Sequence, residues 1–562
     1  MGAAAALVAY AAVVVWETWP LAAHATTHLV NTGTICRTDI PYITWALSWQ
    51  SHALATAPAT VLDTNIYWPA HRTLFYGDPG LGALPYFAPV FLATGNPTLA
   101  VNCLFLLGII MTAWSLHLVV QRWTGSHAAG VVAAATLLMN PWVIWGFFPW
   151  APSYTVFFYL PWIAYLAATP ARRLRDALWL VPLLVLQCLG NMVYVTAATL
   201  APLALLALGR IVRPATRHAG VRLAVALGIT VVVLAPVYAG YLDARRSSGD
   251  IRAESLWSTT REDLPPEVEA RVVRIGGVLR PVVRVPQDIT AVTRSTWVSI
   301  TTLALIATGA LLAGWRAFRT TAWVHGALWT SVGIVLSIPA ASFFGGPGHA
   351  MPHYQLLARV VPIANEVIRE PSRLGMTCLV GWAVLAGVAF AACATRAGPR
   401  ATPFLLMLVL AGMYLQFRAH TRAEYPLAEA IDGRSAVTRA LRDGSGPVLE
   451  LPVGARGIQA LAHARAMYRS IFHWRPLLNG YSSFWPDGFP ARMDLAQRVP
   501  EADALAALRR ETGLTSVVVD LHRLAPQARR IWEGIASEGR RDLRLIVRDG
   551  DELLFEVRSP GA

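Results

Sequence analysis

TDIPYITWALSWQSHAL, residues 38–54, is the stretch on which the reading of the whole chain turns. Tyr42, Trp45, Trp49 and His52 recur in it at helical spacing, and an aromatic stripe of this kind suits a helix lying flat at a membrane interface. Asp39 opens the stretch where an N-cap would sit, ahead of Pro41, which a first helical turn tolerates. An apolar run at 2–22 precedes it. A second aromatic segment, LPYFAPVFLATG (84–95), follows and leads into another apolar run at 97–120.

Working outward, the 562 residues are 55% hydrophobic and only 14% charged, against about a quarter charged in a usual soluble domain. Mean hydropathy is +0.46. These values exclude a disordered chain and argue against a cytosolic enzyme. All 47 basic residues are Arg. Roughly 20 apolar residues span a bilayer as a helix, and eleven such runs are legible: 2–22, 97–120, 128–148, 153–169, 177–190, 191–208, 221–241, 296–315, 321–344, 376–395 and 402–417. Pro182, Gln187, Gly190 and Asn191 interrupt 177–208, so one kinked helix or two are open there. The run at 2–22 lacks a basic leader and carries Trp16, Glu17, Trp19 and Pro20 where a small-residue cleavage site belongs, so an uncleaved first helix is expected.

Loop charge sets the orientation. With the N-terminus inside, the cytoplasmic loops hold Arg122, then 172, 173 and 175, then 210, 213, 217 and 222, then 316 and 319, then 396 and 400; their one acid is Asp176. That bias follows the positive-inside rule, and it accounts for the pI near 10 without nucleic acid. The expectation is a multi-pass protein of the cytoplasmic (inner) membrane with long outer loops at 23–96, 242–295 and 345–375.

Residues 418–562 carry 18 of the 33 acids and read as a separate, extracytoplasmic α/β domain, with 1–417 as the transmembrane domain. Strands are expected at 447–453 and 514–521, helices at 458–471, 501–513 and 525–538, and a hairpin over 543–558 about Asp549-Gly550.

No P-loop, GxGxxG, HExxH or GxSxG motif occurs, and Cys36, Cys103, Cys188, Cys378 and Cys393 form neither a CxxC nor a disulfide pattern. Chemistry must therefore come from dispersed residues. Asp39, Asp63 and Asp78 are the acids of the first outer loop. A carboxylate beside a membrane-facing cavity can act as a general base or bind a divalent cation such as Mg or Mn; Asp39 and Asp78 are the candidate catalytic pair. Arg fits phosphate oxygens in bidentate fashion, which makes Arg72, with its neighbour His71, and Arg359, Arg369 and Arg373 candidate substrate contacts. Glu17 lies near the outer end of its run, where reaching water is the simpler reading. In FHWRPLLNGYSSFWP (472–486), Trp474, Tyr481 and Trp485 can stack on a sugar and Asn479 and Arg475 can bond its hydroxyls; packing against the membrane domain or its own sheet is the alternative. His349 and His353 are spaced as metal ligands on a helix, but Gly345, Gly346, Gly348 and Pro352 argue against a helix there.

The arrangement resembles the GT-C superfamily of polytopic membrane glycosyltransferases, and within it uncharacterised bacterial GT-C-like and YfhO-like membrane proteins. The matching stretches are TDIPYITWALSWQSHAL, LDTNIYWP, GNPTLAVN, IREPSRLG, VLELPV and FHWRPLLNGYSSFWP. The resemblance implies a GT-C-like helical membrane domain of about eleven transmembrane helices with an extracytoplasmic α/β domain. It also implies a polyprenyl-phosphate sugar donor and a glycan, lipid or protein acceptor on the outer face. The family's loop carboxylate maps onto Asp39, and its later loop acid onto Asp78. Members commonly pair two acids, whereas Ile40 follows Asp39 here. The alternative is a non-catalytic GT-C-like protein for lipid or glycan transport or assembly; it would need polar residues through the membrane core, and the spanning runs hold few.

Overall fold

The computed structural model describes residues 2–33, 36–247, 270–275, 278–283, 295–314, 320–337, 371–422, 424–454 and 460–558. Each of the eleven apolar runs carries helix, but apolarity and helix length part company. Among the described residues four helices are long and apolar enough to cross a membrane, Pro97–Thr124, Tyr194–Val212, Pro214–Ala244 and Arg373–Ala397; the pair His127–Leu138 and Trp142–Trp150, bent by 48°, makes a fifth if it counts as one span. The expected eleven spans are thus four or five by this measure. The physical reason is local. In 153–169 a short turn at Pro152–Thr155 delays the helix to Tyr159–Ala168. Ala3–Glu17, Ile300–Ala313 and Thr402–Arg418 are apolar but short.

Local signals explain where the helices begin. Asn96 caps Pro97–Thr124, its Oδ1 accepting from Leu99 N–H at 2.9 Å, with Pro97 in the first turn. The open question at 177–208 resolves as a break: Leu180–Cys188 ends, and Tyr194–Val212 starts over with Asn191 Oδ1 accepting from Tyr194 N–H at 2.6 Å. Gly82 lies against this break. Its N–H donates to Leu189 O at 2.8 Å, and a Cβ there would fall 2.5 Å from Gly190 N. Backbone cannot yield as a side chain would, so Gly82→Ala is expected to destabilise the protein by about 1–3 kcal/mol, read as a lower melting temperature in detergent.

The first and last helices end together. Glu17 is buried, and its Oε2 pairs with Arg418 Nη1 at 3.2 Å; it does not reach water as the sequence suggested, because Thr402–Arg418 packs its C-terminal end beside it. Just beyond, His28–Val30 pairs antiparallel with Leu427–Glu429. The segments that follow the two helices therefore lie on one side. An open apolar groove of about 500 Å³, lined by Met139, Leu406, Met407, Leu410 and Tyr414 among others, faces out from the last helix and holds none of the polar residues described below.

The C-terminal sheet follows the expected order closely. Val448–Leu451 runs parallel to Ser516–Asp520, which pairs antiparallel with Glu552–Val557, which pairs with Leu543–Asp549. Ala460–Ser470, Ala502–Thr512 and Pro526–Glu538 are its expected helices. Ala436–Asp443 and Phe489–Arg498 were not read from the sequence.

The loop after the first helix and the C-terminal segment pack together. Leu477 N–H donates to Asn65 O at 2.6 Å, Tyr67 N–H to Asn479 O at 3.1 Å, and Trp68 N–H to Leu477 O at 3.0 Å. LDTNIYWP and RPLLNG, 410 residues apart, thus share a backbone ladder. Tyr468 of Ala460–Ser470 also hydrogen-bonds Thr98 at 2.6 Å.

Candidate functional site

Helix Cys36–Thr56 builds the site. It begins three residues before Asp39, so Asp39 lies in its first turn and not at the N-cap, and Pro41 is accommodated inside. The aromatic stripe does not lie against lipid. Trp45 is buried and donates Nε1–H to Asn65 Oδ1 at 3.0 Å; Trp49 donates to Val61 O at 3.0 Å; His52 stacks on Trp474 with centroids 4.3 Å apart and planes 8° apart; Tyr42 meets Tyr481 edge-on at 6.0 Å. Amphipathicity alone could not separate a lipid face from a protein face, and here the loop 472–486 takes the place expected for the headgroups.

Asp39 stands at the deep end of this interface. Tyr481 Oη donates to its Oδ1 at 2.9 Å, and Thr38 Oγ1 to the same oxygen at 3.3 Å. Arg373 lies within electrostatic reach. Burial raises the Asp39 carboxyl above its ordinary value, while Arg373 and the two hydroxyl donors pull it back down. The Arg373 guanidinium sits over the ring of Phe147, 4.6 Å from its centroid, and 5.3 Å from that of Tyr194. Tyr154 feels the charges of Arg373, Asp78 and Asp39 together. Asp39, Tyr42, Asp78, Arg373 and Tyr481 are each half-buried.

The second loop acid is held differently. Asp78 Oδ1 accepts from Gly80 N–H at 3.0 Å; Oδ2 accepts from Met192 N–H at 3.2 Å and from the Asn191 amide. These bonds tie the 78–80 turn to the helix break at 189–193, the work of a structural carboxylate. Burial pushes its pKa up to about 6 in spite of the three donors. A carboxyl raised above its unfolded value stabilises the fold fully below that unfolded value and loses the contribution as pH rises through about 6. The protein is therefore expected to lose on the order of 3 kcal/mol between pH 4 and pH 7 through Asp78, seen as a falling melting temperature. Asp78→Asn is expected to flatten that slope.

The remaining candidates lie elsewhere. His71 is exposed, its Nδ1 3.7 Å from Asp63 Oδ1, and Arg72 pairs with Asp243 at 3.4 Å; neither contacts Asp39 or Asp78. Asn479 is fully buried, its Oδ1 accepting from Glu450 N–H at 2.8 Å and its Nδ2 donating to Glu450 O at 2.9 Å. It seals the edge of Val448–Leu451 and has no face left for a sugar. Trp474, at a positive φ of 55°, gives one ring face to His52. Arg359, Arg369, His349 and His353 lie outside the described residues. Among the described residues no group of three or more His, Cys, Asp or Glu is placed to hold a metal ion. Sequence reasoning considered Tyr481 only as a stacking aromatic and missed its bond to Asp39, because the contact joins residues 442 positions apart.

The fold resembles that of a solved membrane protein, the arabinofuranosyltransferase AftD. The chain superposes on the mycobacterial arabinofuranosyltransferase AftD with a TM-score of 0.58 at 16% identity, over 100% of this chain and 40% of that one. A single-residue mutant of AftD gives 0.54 at 16% identity, over 99% and 41%. The chain thus spans about two-fifths of AftD's length, and the likeness is one of fold. No protein-family model matches the chain, and no curated protein matches it by sequence. The narrower resemblance to YfhO-like proteins is without a counterpart in these matches.

Proposed function

We propose that the protein transfers a sugar from a polyprenyl-phosphate donor to an acceptor hydroxyl at the outer face of the cytoplasmic membrane. The observation that carries the reading is that Arg373, 334 residues away in sequence, lies within electrostatic reach of Asp39, in a fold similar to that of AftD. In the proposed step the acceptor oxygen attacks the anomeric carbon and the bond from that carbon to the phosphate oxygen breaks. Asp39 takes the acceptor's proton. The polyprenyl phosphate leaves with one more negative charge, which Arg373 stabilises. The two roles are coupled. While Arg373 faces Asp39 it favours the ionised carboxylate; once phosphate shares that guanidinium, the carboxylate becomes a stronger proton acceptor.

Asp78 supports the site by holding the start of Tyr194–Val212, which carries one of the rings beside Arg373. The proposed topology has eleven crossings, the shorter apolar helices included, with the N-terminus cytoplasmic and residues 418–562 extracytoplasmic. The joined ends of Ala3–Glu17 and Thr402–Arg418 support an even number of crossings between them.

The test is direct. Purified protein in liposomes is given a synthetic polyprenyl-phosphoryl arabinofuranose, chosen because AftD is an arabinofuranosyltransferase, alongside polyprenyl-phosphoryl pyranoses and a set of short glycan acceptors. Time-dependent, Asp39-dependent product from one donor is the expected result. Absence of product with every donor, in liposomes that retain folded protein, would count against the reading.

A further inference from the structure

We infer that Tyr481, carried by the C-terminal segment, is the positioning residue of the Asp39 site: its hydroxyl fixes one carboxylate oxygen so that the other is presented to an acceptor hydroxyl. The inference rests on the reading of Asp39 as proton acceptor. The geometry has three parts. First, both hydroxyl donors address Oδ1, Tyr481 at 2.9 Å and Thr38 at 3.3 Å, and among the described residues Oδ2 accepts no hydrogen bond. A carboxylate free to rotate would exchange its oxygens; one held at Oδ1 offers Oδ2 in a constant direction.

Second, Tyr481 is itself held. Its N–H meets Met467 Sδ at 3.1 Å, and the preceding Gly480 N–H meets His463 Nδ1 at 3.3 Å. Gly480 lies so close to the Tyr67 ring that a Cβ would fall 2.3 Å from it. The Tyr481 ring then stands edge-on to Tyr42, with planes 88° apart. Third, the chemistry suits the task. A phenol donates one hydrogen bond and keeps its proton across the pH range in which a carboxylate titrates, so Tyr481 orients Asp39 without competing for the transferred proton. The groups facing Asp39 are Thr38 and the Cys36 thiol from its own helix, Arg373 from Pro371–Met376, Tyr154 from Pro152–Thr155, and Tyr481. Burial pushes Cys36 up to about 12, so it stays neutral, and Tyr481 and Thr38 are the neutral donors acting on the carboxylate.

The experiment reads the carboxyl directly and does not need substrate. Infrared difference spectra between wild type and Asp39→Asn, recorded across a pH series, isolate the Asp39 band. Tyr481→Phe keeps the ring and removes one donor to the charged form, so the Asp39 titration is expected to move up by about one pH unit. Thr38→Val is expected to move it in the same direction by less. Where Tyr481→Phe is not recovered folded, 3-fluorotyrosine at position 481, a more acidic donor, is expected to move the titration down. In the transfer assay, with the donor that serves there, Tyr481→Phe is expected to lower kcat about tenfold with KM unchanged and to carry the acid limb of the pH profile upward. An Asp39 band that titrates identically with and without the Tyr481 hydroxyl overturns the inference. The two readings fail separately. Transfer by Asp39→Asn removes the base while leaving the titration to decide whether Tyr481 holds it. An inactive Asp39→Asn beside a Tyr481→Phe with wild-type kcat and acid limb removes the positioning role alone.

Discussion

Asp39→Asn is expected to accumulate in the membrane at the level of the wild type and to lose sugar transfer by at least about a hundredfold, the usual contribution of a positioned general base. The substitution is nearly isosteric. The carboxamide oxygen can still accept from Tyr481 and Thr38, so the helix start and the contact to the loop 472–486 survive. What changes is proton affinity: an amide does not take the acceptor's proton. It also leaves Arg373 without its facing charge, so donor binding is expected to be retained or tightened while turnover collapses. Measured as initial rates with saturating donor, the loss belongs to kcat. A variant that turns over within threefold of wild type would remove Asp39 from the chemistry.

Arg373 carries the second large effect, and two substitutions separate its parts. Arg373→Leu leaves Asp39 charged among protein atoms with no facing cation. Arg373 acts on Asp39 electrostatically and both side chains are half-buried, so a fall in stability of no more than about 1 kcal/mol is expected, read as a slightly lower melting temperature, together with loss of transfer. Arg373→Lys keeps the charge but loses the flat guanidinium that lies over Phe147 and Tyr194 and its two-point grip on phosphate. It is expected to fold at normal yield and to transfer ten- to a hundredfold more slowly, with the loss appearing in KM for the donor as well as in kcat. Equal activity of Arg373→Lys and wild type would mean that a point charge suffices and that the ring contacts serve packing alone.

Periodic features were legible in the sequence, and the places where distant segments meet were not. Apolar runs, the alternation of 447–558 and the Asp549-Gly550 turn depend on neighbours in sequence; the last two yield the elements expected, and the apolar runs carry helix without each being long enough to span. Helix length depends on where a turn ends one run, as at Pro152–Thr155, and on the break after Cys188. The aromatic stripe from Tyr42 to His52 has a period that predicts a helix but carries no mark of what covers it. Asp39 drew attention as an acid soon after an apolar run, although an N-cap was the competing explanation; its bond to Tyr481 had no signal in the sequence. Asp78 fits the same description, yet its bonds to Met192 and Asn191 give it another task. Arg373 was one of three arginines before the tenth run, and nothing in their spacing favours the one that meets Phe147. Asn479 has the chemistry of a sugar ligand, but its amide matches the donor and acceptor of Glu450.

The strand His28–Val30 waits for a mate that ribosomes make almost four hundred residues later, at Leu427–Glu429. Until then the early loop has neither its ladder partner at 477–479 nor the phenol that reaches Asp39. A nascent chain therefore passes through most of its synthesis and insertion with an unfinished centre. That centre is completed late, when the tail folds back over the beginning, so a truncated translation product would lack the Tyr481 hydroxyl at Asp39.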